Sequence, residues 1–185
     1  MILLPRRRRP FLPLCAAWSV NFAQALGPPA LANFYDTDFE TAEAILSQSG
    51  MFRSGLQHGL LWSDIVVAGG IAHASVITEI EDDYNDSCAC LNPARHSIGA
   101  DQEAHCVVYR PTYSPPSTHE IELFLRLTID ANSARGYEIL VPHAGAGQIM
   151  RWNGPINSVV DLNATGSGFQ NLDDDHELSA TIIGQ

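Results

Sequence analysis

The chain contains no lysine, so all ten of its basic side chains are arginines, set against 21 acidic residues for a formal net charge of −11. Four of those arginines stand together at positions 6–9, where there is no acid nearby. Residues 26–185 therefore hold six arginines and all 21 acids, a balance of −15. A surface of that sign has no counterion release to gain from phosphates, which argues against nucleic acid as a partner. Acidic polysaccharide is disfavoured for the same reason unless arginines gather locally or a metal intervenes. Cysteine is also scarce. Cys15 lies in the arginine-led opening segment, which leaves Cys88, Cys90 and Cys106. Cys88 and Cys90 are too close in sequence to bond each other. One of them could bridge to Cys106, leaving an odd thiol, or all three could be buried thiols. A Cys-x-Cys pair with one distant partner is too sparse to define a zinc site.

Long apolar runs are missing as well. Nothing approaches the roughly 20 residues of a membrane-crossing helix, and no heptad or internal repeat is visible. The apolar stretch from Pro10 to Val20 follows Arg6 to Arg9 and precedes Ala23-Gln24-Ala25. That is the order of an export signal: a basic start, a short apolar core and a small-x-small cleavage site. Cleavage is expected after Ala25. Residues 1–25 then form a signal peptide and residues 26–185 a single domain, secreted or periplasmic, with no membrane span. Arg8-Arg9-Pro10-Phe11-Leu12 resembles the twin-arginine export signal, with Arg7 and Pro13 at positions usually held by Ser and Lys.

What remains reads as short alternating or apolar runs broken by Gly, Pro, Asn and Asp. Strands are expected at 59–68, 71–80, 103–110, 120–130, 136–141, 148–152 and 177–183, with one short helix at 41–47. The clearest alternation places Ile121, Leu123, Leu125, Leu127 and Ile129 on a core face. Glu120, Glu122, Phe124, Arg126 and Thr128 fall on an opposite, wet face. Gly69-Gly70 reads as a two-residue hairpin turn. Loops are expected at 82–100 and 111–119. The pattern predicts an all-β, antiparallel sandwich or barrel.

The segment from Ala134 to Pro155 adds a resemblance. Ala-Arg-Gly-Tyr-Glu-Ile-Leu-Val-Pro, a glycine-rich turn and then Gln-Ile-Met-Arg-Trp-Asn-Gly-Pro resemble the concanavalin A-like lectin/glucanase superfamily. Phe34 to Phe39 resembles its opening strand, and Gly99 to Ala104 the start of a central strand. The resemblance implies a two-sheet antiparallel jelly-roll sandwich. Members usually close on further strands beyond the point where Gly184-Gln185 ends this sequence, so the domain is expected to lack its last strands.

The glutamate-rich strand of glucanases on this fold is not matched. Glu79 and Glu81 share a face, as do Glu120 and Glu122, but the central Asp and final Glu are missing, and a solvated strand face is expected. His73, His105, Tyr109, His119, Arg126 and Tyr137 supply the residue types of a polysaccharide lyase without its signature strands. No catalytic residue is therefore assigned. Sugar binding needs less: an aromatic ring for the pyranose C–H face and hydrogen-bonding groups beside it. Arg151, Trp152 and Asn153 run into the Gly154-Pro155 turn, with Tyr137 and Glu138 on the expected neighbouring strand, and these five form the candidate carbohydrate site. Trp62 is expected in the core. Asp82, Asp83 and Asp86 form an acidic loop able to supply oxygens to calcium, the one cofactor considered, and Asp173 to Asp175 form a second run. The expected function is a non-catalytic module that binds carbohydrate or another surface. A polysaccharide-degrading enzyme and a structural or adhesive domain without a small ligand are the alternatives.

Overall fold

Alternation of five large apolar residues between 121 and 129 makes a long strand, and the structure, a computed structural model, places it at the edge of the main sheet. Described are residues 22–23, 35, 37, 39, 46–75, 87–96, 98–109, 120–142, 146–155, 158–162 and 175–184. Strands account for 58% of these, with no α-helix among them, so the protein is an all-β antiparallel sandwich. The strands are β1 (Phe22–Ala23), β2 (Phe52–Ser54), β3 (Ile65–Ala68), β4 (Ile71–Ala74), β5 (Ala89–Leu91) and β6 (Gln102–Val107). They continue as β7 (Glu120–Asp130), β8 (Ser133–Pro142), β9 (Gln148–Gly154), β10 (Val159–Asp161) and β11 (Glu177–Ile182).

One sheet has four strands in the order β10-β9-β8-β7, and another has the order β1-β6-β11; β2-β5 and β3-β4 form two-stranded ribbons. The β3-β4 ribbon turns at Gly69 and Gly70, both at positive φ, as a tight two-residue connection requires. Four short strands lie where none was expected: β1, β2, β10, and β5 inside the anticipated 82–100 loop. The expected strand at 59–68 begins only at Ile65, because residues 56–58 form a 3-10 turn ended by Gly59 at φ 80°. In place of the expected helix, a 3-10 turn occupies 46–49, and 41–45 lie outside the described residues. β1 adds two residues to β6, Phe22 opposite Glu103 and Ala23 opposite Gln102, although both precede the expected cleavage point.

The core is divided. A first cluster gathers Phe52, Ile65, Val67, Leu91, Ala104, Cys106, Leu178, Ile121, Leu123 and Leu125; a second holds Leu60, Trp62, Cys88, Cys90, Phe124, Leu127, Ile129 and Trp152. β7 contributes to both, so its expected wet face is wrong along the first half of the strand: Glu122 and Phe124 are buried. A β-bulge between Leu125 and Thr128 explains the exchange. Strict alternation would keep Leu127 and Ile129 with Leu125, but an extra residue inverts the parity and sends them to the face of Phe124.

Arg126 is the extra residue, at φ 53°. Its backbone N–H, turned away from the ladder, donates to Gln102 Oε1 at 2.5 Å. The guanidinium donates from Nε to the Ala100 carbonyl at 2.7 Å and from Nη2 to the Gly184 carbonyl. Arg126 thus ties the bulge to the start of β6 and to the chain just past β11, which is more than a solvent-facing side chain does. Leu125→Ala is expected to cost about 2–5 kcal/mol through the cavity it leaves. Arg126→Ala is expected to cost about 1–2 kcal/mol through lost charge-assisted hydrogen bonds. Urea denaturation of the two variants measures both, and an Arg126→Ala midpoint equal to wild type would mean the tether carries no weight.

Candidate functional site

The register of β8 on β9 sets Tyr137 opposite Arg151 and Arg135 opposite Asn153. Side chains alternate across a sheet, so these four share one face, while Gly136, Glu138, Met150 and Trp152 share the other. The five candidate sugar contacts are therefore split between the two faces. Trp152 is 3% exposed and Glu138 1% exposed. The indole Nε1–H of Trp152 donates to Glu138 Oε2 at 2.6 Å, and Trp62 meets the Trp152 ring edge-on with centroids 5.0 Å apart. A ring closed between Trp62 and a buried carboxylate cannot stack on a surface sugar, so Trp152 and Glu138 leave the candidate site for the core. Trp62, as expected, is core too, at 1% exposure.

Tyr137, Arg151 and Asn153 remain together on the outer face, and Arg135 joins them. Arg135, Arg151 and Asn153 are exposed, and Tyr137 is half-buried against the margin of the first cluster. Arg135 Nε donates weakly to the Asn153 carbonyl at 3.4 Å, whereas Arg151 has no ion pair or side-chain hydrogen bond among the described residues. Arg53 and Arg126 are committed elsewhere. Arg53 donates to the Ile129 carbonyl at 2.9 Å and approaches Asp130 at 3.8 Å, and Arg126 holds its two carbonyls. Along this face the register adds Ile149, the exposed Val160 beside Arg151, and Thr128 beside Arg135; towards β7 it runs into the first cluster, with buried Leu125 opposite Tyr137 and Leu123 opposite Ile139. The nearest acid on that face is Asp130, opposite Ser133 and beside Arg53. Arg135 was legible from Tyr137 alone, since period 2 puts residue i−2 on the same face.

The residue types of other chemistries are not assembled. His73, His105, Arg126 and Tyr137 lie on four different strands, and His119 lies outside the described residues. His105 points at Glu177 across 3.7 Å, and its Nδ1 is buried without a partner. Among buried polar groups, Asp64 accepts hydrogen bonds from the Ser47 hydroxyl and the Ile65 N–H, while Gln57 Nε2 donates to Ser47 Oγ at 2.9 Å. No histidine joins that set among the described residues. All three thiols are buried, and none of them is in a disulfide. Burial pushes Cys90 and Cys106 up to about 12, which keeps them protonated and unreactive. Asp82, Asp83 and Asp86, the expected calcium ligands, lie outside the described residues, as do Glu79, Glu81, Asp173 and Asp174. No group of three or more metal-binding side chains occurs among the described residues. No described helix is long and apolar enough to cross a membrane.

His96 packs edge-on against Tyr35 with centroids 5.2 Å apart, and its Nε2 is buried without a partner. Burial lowers its pKa, and burial followed by the Arg53 charge lowers that of His58. Both rings resist protonation in the folded state, so the unfolded chain binds protons first as pH drops below about 6.5. Stability is fully present above that value and declines below it. The melting temperature should fall between pH 7 and pH 5, and His96→Phe should flatten the decline. An unchanged slope in the variant would assign the acid sensitivity to other groups.

Comparison of the chain with protein-family models, with curated proteins and with solved structures finds no match.

Proposed function

We propose that the protein is an exported, non-catalytic module of jelly-roll type that binds carbohydrate through the outer face of β8 and β9. The observation that carries this reading is the placement of Tyr137, at the margin of the first cluster, beside the exposed Arg151, Arg135 and Asn153 on one sheet face, with Trp152 withdrawn to the opposite face. A half-buried phenol ring is held in a fixed direction by its packing. It offers an apolar surface to pyranose C–H groups, and the arginines and the asparagine offer hydrogen bonds to hydroxyls around it. The β8-β9 strands carry these groups on paired backbone, so the face is preorganised and little ordering cost attends binding.

Glycan-array screening of the exported protein, with and without calcium, tests the reading. A saccharide ligand is expected, and Tyr137→Ala should weaken its binding about fivefold, the equivalent of roughly 1 kcal/mol of stacking. No saccharide bound by a protein that melts cooperatively would overturn it. Calcium dependence would point to the acidic loop of Asp82, Asp83 and Asp86 as part of the site.

A further inference from the structure

We infer that the saccharide taken by this face is acidic, a polymer bearing carboxylate or sulfate groups, with Arg135 and Arg151 as its anion contacts; the inference rests on the carbohydrate reading above. Residues 26–185 contain 21 acids and six arginines, so an arginine placed without regard to function would sit beside carboxylates. Arg53 does so, with Asp130. Arg151 does not: its neighbours on that face are Tyr137, Asn153, Ile149 and Val160; Arg135 lies opposite Thr128 and diagonal to Asp130, but that carboxylate is paired with Arg53 and makes no ion pair with Arg135 among the described residues.

The geometry suits a charged sugar. Arg135 and Arg151 occupy diagonal positions on adjacent antiparallel strands, about 7–8 Å apart at their backbones, with Tyr137 and Asn153 on the other diagonal. Two guanidinium forks thus flank one aromatic ring. Each fork presents paired N–H donors that match a carboxylate or sulfate in two parallel hydrogen bonds. The Nε of Arg135 is engaged with the Asn153 carbonyl, which leaves its two terminal nitrogens as the free donors. The apolar side of the sugar ring then rests on Tyr137 while its anionic substituent meets an arginine. The strongly negative remainder of the domain repels a polyanion everywhere else, so the same charge that excludes nucleic acid in general directs an acidic chain to this face.

Calorimetric titration of the full chain with four polymers tests the inference: polygalacturonate for carboxylates, dextran sulfate for sulfates, neutral dextran, and duplex DNA. Binding of one or both acidic saccharides is expected, weakening as salt is raised from 50 to 300 mM, and their relative affinities identify the preferred group. Arg135→Gln with Arg151→Gln should reduce that affinity at least tenfold with an unchanged melting transition, while Arg95→Gln, at an exposed turn elsewhere, should leave it intact. Binding of dextran alone would overturn the acidic assignment and leave the carbohydrate reading standing. Equal affinity for DNA would mean a general polyanion surface and overturn it as well. Acidic polymer bound equally well by the double variant would place the contact elsewhere. Failure to bind any of the three polysaccharides, together with an empty glycan array, would remove both readings.

Discussion

Trp152→Ala is expected to destabilise the protein by about 3–5 kcal/mol, the range for emptying a buried aromatic site, while Arg151→Ala and Asn153→Ala on either side stay within about 0.5 kcal/mol. The contrast follows from one register. Trp152 closes the second cluster against Trp62, whose ring also lies 5.9 Å from Phe124, and its neighbours in sequence point the other way. A second contribution comes from Glu138, which is buried and accepts the indole N–H. Trp152→Phe separates the two. It keeps most of the apolar volume and removes the hydrogen bond, so its cost should fall to about 1–3 kcal/mol, the penalty for a buried acceptor that loses a partner. Pairing Trp152→Phe with Glu138→Leu should recover part of that loss. Urea denaturation gives all five values. A Trp152→Ala variant that melts like wild type but loses sugar binding would return the tryptophan to the surface.

Gly136→Ala is expected to cost about 3–5 kcal/mol, more than any exposed substitution in the sheet. Gly136 sits opposite the β7 bulge at φ 153°, where a Cβ would meet the Leu127 Cα at 2.8 Å and the Arg126 and Leu125 carbonyl oxygens at 3.0 Å. Every one of those atoms is backbone, so no rotamer change relieves the clash; the strands must part or the bulge must move. Gly69→Ala provides the control, since Gly69 also has positive φ, 63°, but nothing lies within 4 Å of its missing Cβ. It should show the backbone strain alone, about 1 kcal/mol. If the two glycine variants lose equal stability, crowding at the bulge is not what selects glycine at 136.

These two positions also mark the limit of what the sequence made legible. Seven strand expectations each coincide with a strand, because period-2 alternation and Gly or Pro punctuation are local signals. The Gly69-Gly70 turn was visible for the same reason. The bulge was not, because Arg126 adopts its conformation only with Gly136 across the ladder and with Ala100 and Gly184 to hold its side chain. That hidden residue reversed the faces of Leu127 and Ile129, while Glu122, ahead of the bulge, is buried because its face of the sheet, shared with Phe124, is covered by the second cluster. β2, β5 and β10 are three residues each, too short to show a period. At the candidate site, Tyr137, Arg151 and Asn153 fall on one face as their parity requires. Trp152 was drawn in by its neighbours in sequence, although the same parity places it on the opposite side, and Arg135, two residues before Tyr137 on the same face, was passed over.

The buried thiols have a consequence for the order of events in the life of the chain. Cys106 belongs to the first cluster, and Cys88 and Cys90 to the second, each closed to solvent once the sandwich has formed. A chain that meets an oxidising compartment while still extended presents all three sulfurs at once, and a bond from Cys106 to either of the others joins residues that the finished fold keeps in separate interiors. A chain that folds before it is exported presents none. The paired arginines at 8 and 9 resemble a twin-arginine signal, the mark of a route that carries proteins already folded. On such a route the interior itself would protect the cysteines, and correct maturation would depend on the timing of folding and not on a disulfide.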